Sequence, residues 1–161
     1  MAVVSNTGPL IALAKADILG LLEQLFTRVY IPPAVHRELL AKSGPEVARL
    51  DDALAHFIEV SPVPNVSPEV RWITLGLDLG EQQAIALAWE HKALLVIDDY
   101  LGRIAARRLR LSVTGVAGVL LQAKEAALIP AVRPLLDEMR RQGYWLSDEL
   151  LDVAARLARE S

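Results

Sequence analysis

Residues 75–105, LGLDLGEQQAIALAWEHKALLVIDDYLGRIA, read as a helix carrying one acid toward its buried side, followed by a strand that ends in two more. Glu81 follows Gly80, and Ile85 and Ala88 recur at i+4 and i+7, which puts a carboxylate in line with the stripe that should face a core. An acid there is costly without a partner. Residues 93–97 are an apolar run without alternation, as expected of a strand covered on both faces of a parallel sheet, and the run stops at Asp98 and Asp99. In open α/β sheets ligands bind outside the carboxyl ends of strands. Acids ending such a strand, with Glu81 on the preceding helix, therefore point to a metal or catalytic cluster.

The same strand and helix signals recur outward from this stretch. Short strands are expected near 2–5, 28–31, 93–97 and 111–114, with a further short strand at 57–60. Helices are expected from about Pro9, at 18–26 with Asp17 as its cap, from Pro32-Pro33 to Leu40, at 46–55, 102–109 and 116–127, and about 132–141 and 147–158. Ser147 is a capping signal for the last of these. SPVPNVSPE at 61–69 reads as a connection across a sheet edge. This rhythm predicts an α/β fold with a parallel sheet between helical layers and right-handed crossovers. Asn6 then ends the first strand, Asp98 and Asp99 end another, and Glu38 and Glu81 lie on helices beside that rim. Clustered carboxylates repel and call for a cation, and hard oxygen ligands favour magnesium or manganese over zinc. The three histidines, His36, His56 and His91, have no zinc-site spacing.

At 161 residues the chain fits a single domain, 1–161, and apolar residues make up 53% of it. With a mean hydropathy of +0.31, that content suggests a sheet buried on both faces or surface kept for self-association, for which the apolar stretches 17–27 and 116–129 are available. There is no cysteine, so thiol chemistry and disulfides are excluded. No segment resembles a signal peptide and no apolar run is long enough to span a bilayer, so a cytoplasmic location is expected. The net charge of −3 offers no general attraction for nucleic acid, which would have to dock on a local basic patch. Arg103, Arg107 and Arg108 are the candidates for that patch, Arg103 and Arg107 sharing a helix face, and a solvated helix face is the plainer reading of the same residues.

VVSNTGPLIALAKA (3–16), IPPAVHREL (31–39), LDLGEQQAIALA (77–88), VIDDYLGRIAARRLRL (96–111) and VTGVAGVLLQAK (113–124) together resemble the PIN-domain family, specifically a prokaryotic PIN-like branch related to VapC-type toxins of toxin–antitoxin pairs. The resemblance covers the motif-bearing core, 3–128, and leaves the C-terminal helices at 130–160 without a role. It implies a three-layer α/β/α sandwich and a Mg2+- or Mn2+-dependent endoribonuclease site. The family's first-strand acid falls on Asn6, its V-x-x-E-L acid on Glu38, the next helix acid on Glu81, and the last on Asp98 or Asp99, with Asp99 favoured as the metal-facing one. Asn6 departs from aspartate: its carbonyl can ligate a metal but brings no charge. Thr7 and Thr114 are phosphate contacts in this reading, helix capping and turn formation in the plainer one. An RNA substrate, an antitoxin protein seated by the acidic rim and a homodimer are the partners it implies.

Two other classes compete. One is a PIN scaffold in which Asn6 has removed catalysis and left RNA or protein recognition, to be told apart by metal affinity. The other is an oligomeric or regulatory protein without a nucleic-acid substrate, which predicts no salt-dependent RNA binding. A phosphoacceptor receiver domain also ends strands in acids, but its late-strand lysine has no counterpart here, since Lys124 falls inside a helix.

Overall fold

The computed structural model describes residues 2–63 and 65–160. Residues 1, 64 and 161 lie outside the described residues, and with them Pro64 of the 61–69 connection and the two ends of the 1–161 domain reading. Among the described residues the chain forms one five-stranded, wholly parallel sheet flanked by helices, an α/β sandwich of three layers. The strands are β1 (Val3–Ser5), β2 (Val29–Ile31), β3 (Ile58–Val60), β4 (Leu94–Val96) and β5 (Val113–Thr114), in the order β3-β2-β1-β4-β5. β1 aligns Val3, Val4 and Ser5 with Leu94, Leu95 and Val96 of β4. The chain runs outward from β1 to β3 on one side and then crosses to β4 and β5 on the other. The reversal lies between β1 and β4, where their carboxyl ends open a crevice.

The sheet's two faces are read off alternate residues of its central strands. Val3 and Val96 belong to one apolar cluster and Val4, Leu95 and Ile97 to another. The second lies under α5 (Pro68–Ile73), α6 (Leu79–His91) and α7 (Tyr100–Arg108). The first lies under α1 (Thr7–Lys15), α2 (Leu21–Phe26), α4 (Glu46–His56), α8 (Val116–Glu125), α9 (Arg133–Arg141) and α10 (Asp148–Leu157). Between them α3 (Pro33–Leu40) packs on both α1 and α6. Leu95 and Ile97 are fully buried, each burial contributing about 1.5–3 kcal/mol. Burial on both faces explains why residues 93–97 carry no polar alternation.

Local chemistry accounts for the places where structure and expectation part. Helix α1 starts at Thr7, before Pro9, because proline needs no N–H donor in a first turn. Asp17 is not a helix cap: it adopts φ 57° and pairs with Arg49, and α2 begins only at Leu21 after Gly20. The segment before α6 contains an unexpected short helix, α5, whose Ser67 hydroxyl accepts the Val70 N–H at 3.2 Å ahead of Pro68. Helix α6 ends on Lys92 in the left-handed region, and the Ala93 N–H returns to the Ala88 carbonyl, turning the chain directly into β4. Ser147 caps α10, as its position predicts. The apolar stretches at 17–27 and 116–129 are largely consumed within the chain: Leu22, Val119 and Leu120 are fully buried, α2 packs on α8, and α10 covers α8. Among the described residues no helix is long and apolar enough to cross a membrane.

Candidate active site

The crevice at the carboxyl ends of β1 and β4 has a volume of about 570 Å3, and Asn6, Thr7, Glu38, Glu81, Asp98 and Asp99 all line it. Five chain segments contribute, because β1 and β4 end side by side while α3 and α6 pack together above them. Asn6 donates its backbone N–H to the Val96 carbonyl at 2.9 Å, locking the two strand ends together. It occupies the N-cap position of α1 but makes no side-chain cap bond. Its amide, on a residue only 8% exposed, has no hydrogen-bond partner among the described residues and borders the crevice.

Glu38 is held by the neighbouring segments. The Thr7 hydroxyl donates to its Oε2 at 2.6 Å, and its Oε1 sits where a side chain on residue 80 would be, 2.2 Å from a Cβ built on Gly80. Glu81 forms a capping box at the start of α6. Its N–H donates to Asp78 Oδ1 at 2.8 Å while its carboxylate accepts the Asp78 N–H at 3.4 Å. Burial, then the charges of Asp78 and Asp99, pushes Glu81 up to about 7. The crevice therefore contains more negative charge than it neutralises.

Asp98 and Asp99 diverge because adjacent residues at a strand end point to opposite faces. Asp98 turns toward α8, accepting the Val116 N–H at 3.0 Å and the Tyr144 hydroxyl at 2.5 Å. Burial pushes its carboxyl up, opposed by the bonds from Tyr144 and Val116 and by the Arg103 charge. Burial, and then Asp98, raises the Tyr144 hydroxyl. Gly115 leaves the space Asp98 occupies: a Cβ there would lie 2.2 Å from Asp98 Oδ1. Asp99 turns toward α6, is exposed, and accepts the Gly102 N–H at 2.8 Å as the cap of α7.

The proposed nucleic-acid contacts divide. Thr7 lies in the crevice. Arg103 and Thr114 border a separate hollow beyond Asp98, where the Arg103 guanidinium donates to the Ile97 carbonyl at 2.9 Å. Burial and Arg107 lower the Arg103 pKa, against the pull of Asp98. Arg107 and Arg108 are exposed in the last turn of α7 and border neither space. A hollow of similar size, about 590 Å3, lies near the start of β3, but its Asp17 and Asp52 already pair with Arg49 and His56.

A sequence profile described as a PIN domain matches residues 2–160. The chain belongs to the PIN-domain family. PIN domains are a nuclease-type fold and generally use divalent metal ions. No curated protein matches the chain. The PIN match extends past the motif-bearing core to the final helices, and the structure gives those helices a place in the site: Tyr144 and Trp145, between α9 and α10, line the crevice. Asp78, Lys42 and Tyr100 line it too. Asp78 had a readable signal, the Asp-x-x-Glu spacing of a capping box. Tyr144 had none, being 46 residues from the aspartate it touches.

The donors fit a hard divalent cation. They are oxygens, from the five carboxylates that line the crevice and from the Asn6 amide, and after burial it is the charges of Asp78 and Asp99 that raise Glu81. Among the described residues no three such side chains stand close enough together to hold a metal ion as they lie.

Proposed function

We propose that the protein is a Mg2+- or Mn2+-dependent endoribonuclease that hydrolyses RNA phosphodiesters in this crevice. The observation that carries the reading is the convergence of Asn6, Glu38, Glu81 and Asp99 at the carboxyl ends of β1 and β4, with Glu81 raised to about 7. Glu38, Glu81 and Asp99, with the Asn6 carbonyl, would hold the cation, while Asp98 fixes the turn that aims Asp99. A bound cation supplies charge stabilisation for the phosphate and activation of water. Thr7 keeps Glu38 oriented and the Gly80 backbone leaves room for its carboxylate. The five shared motifs support a further assignment, the toxin of a toxin–antitoxin pair with an antitoxin covering the acidic rim and a homodimer as the working unit.

The test is calorimetric titration of Mn2+ and Mg2+ into the native protein and a Glu81→Gln/Asp99→Asn double variant, with both assayed on a structured RNA mixture. Binding and cleavage by the native protein, lost in the variant, are the expected result. A native protein that neither binds metal at millimolar concentration nor cuts RNA overturns the reading. The second reading, a PIN scaffold that binds without cutting, then takes its place. It is favoured by the neutral Asn6 and by the engagement of Glu81 and Asp98 in structural hydrogen bonds.

A further inference from the structure

Trp145 is 82% exposed, the most exposed of the large apolar side chains among the described residues, although the backbone carrying it is fixed on both sides. Before it, the Tyr144 N–H donates to the Met139 carbonyl at 3.0 Å and the Tyr144 hydroxyl is anchored on Asp98. After it, Leu146 is buried and Ser147 caps α10. The indole is therefore held outward at the lip of the crevice by a chain segment already ordered. Tyr100, 66% exposed, stands on the same crevice, in the first turn of α7 behind the Asp99 cap. Both aromatic rings are tied to the aspartate pair, Tyr100 as the next residue after Asp99 and Trp145 as the next residue after the tyrosine bonded to Asp98. Lys42 lines the same space and makes no ion pair among the described residues, in spite of the acids around it.

The exposed rings and the Lys42 ammonium suit a ligand with flat faces and an anionic group, and a cation held by the carboxylates would offset the repulsion that the acidic crevice otherwise exerts on it. Hydrophobic burial alone does not explain the arrangement, since an exposed indole on an ordered segment gains nothing within the folded chain. Unpaired nucleobases stack on such rings in any sequence, whereas the bases of a duplex present no free face.

We infer that Trp145 and Tyr100 are substrate-positioning residues that stack unpaired nucleobases on either side of the aspartate pair, with Lys42 taking a flanking phosphate. The inference rests on the crevice being a nucleic-acid site. Because the backbone carrying both rings is already anchored, stacking would have to fix only the side-chain rotamers to set the backbone between two bases against Asp99. The C-terminal segment of the domain thus acts in substrate selection, favouring single strands and loops over paired stems.

The test uses a short fluorescein-labelled RNA without self-complementarity, the same strand annealed to its complement, and a strand of equal length with abasic sites. Binding is followed by anisotropy with Mn2+ in the Glu81→Gln background, and the native protein is assayed separately for cleavage. The single strand should bind more tightly than the duplex, and adding Trp145→Ala should weaken it roughly 5- to 150-fold, the equivalent of losing one stacked base. Trp145→Phe should restore most of the affinity. The abasic strand should bind equally with and without Trp145→Ala, and the melting temperature should not move. Equal affinity of the Trp145→Ala protein for the single strand, or a penalty that persists on the abasic strand, overturns the inference, while cleavage by the native protein would leave the nuclease reading standing. If binding follows Trp145 but the native protein cuts nothing, the nuclease reading fails and the stacking site stands.

Discussion

Replacing Tyr144 with phenylalanine removes one oxygen atom and disconnects the C-terminal segment from the turn after β4. The lost contact is short, 2.5 Å from Asp98 Oδ2, and hydrogen bonds to charged groups contribute about 1.5–3 kcal/mol. For a domain of this size each kcal/mol moves the melting temperature by about 2–4 °C, so the variant should melt about 3–12 °C lower. The sign of its pH dependence also follows. Burial holds the folded pKa of Asp98 above its ordinary value, so between those two values the folded chain keeps a proton that the unfolded chain releases, and stability falls as pH rises. The Tyr144 hydroxyl favours the carboxylate, and without it the shift grows. The deficit of Tyr144→Phe should therefore be smallest in acid and widen as pH rises through the ionisation of Asp98. Thermal unfolding followed by circular dichroism at a series of pH values measures both quantities. A variant that melts with the native protein, or a deficit that narrows with rising pH, refutes the reasoning.

Gly80→Ala would ordinarily stabilise a first helical turn, but its Cβ would meet Glu38 Oε1 at 2.2 Å and Cδ at 3.1 Å; RNA cleavage should fall about tenfold or more while circular dichroism stays native, as for other small displacements of catalytic groups. Glu160 accepts from Lys124 Nζ and from the N–H groups of Val132 and Arg133, each at 2.8 Å. Burial opposes its ionisation, but the Lys124 bond and charge and the two N–H bonds outweigh that and hold it at about 2. Glu160→Ala should cost about 2 kcal/mol at neutral pH by denaturant unfolding, and its penalty should shrink as pH falls from about 4.5 toward 2, where the native chain loses this contribution. Glu81 shifts the other way, so metal-free native protein should lose stability as pH rises from about 4.5 to about 7. Glu81→Gln should flatten that slope, and a slope unchanged in the variant would place the uncompensated charge elsewhere.

The fold was legible where one physical demand dominates a stretch of chain. Residues 93–97 had to be a doubly buried strand because no polar side chain interrupts them, and Pro33 and Ser147 mark helix starts through the orphan N–H groups they leave absent or satisfied. The crevice was legible in outline for the same reason, since parallel strands bring their carboxyl ends to one rim and so gather Asn6, Asp98 and Asp99. Helix α5 was missed because prolines at 62 and 68 and Asn65 read as a loop, while the local Ser67 cap that stabilises the helix is a single weak signal. The roles of the two aspartates were not legible in the residues themselves, and only the family resemblance favoured Asp99. Neighbours in sequence, they differ only in which face of the sheet they meet, and that is decided by α8, Tyr144 and α6 packing from distant parts of the chain.

By itself, then, the sequence determined the strands, most of the helices and the family, because periodicity, capping and turn chemistry act between residues a few positions apart. Tertiary structure alone decided that Asp98 is tied to Tyr144 and Val116 while Asp99 stays exposed at the cap of α7, that Glu38 leans on Thr7 and Gly80, and that Trp145 stands at the lip of the acidic crevice. Those outcomes depend on contacts as much as 46 residues apart along the chain, whose partners become neighbours only when burial of the two apolar faces of the sheet closes the layers around it.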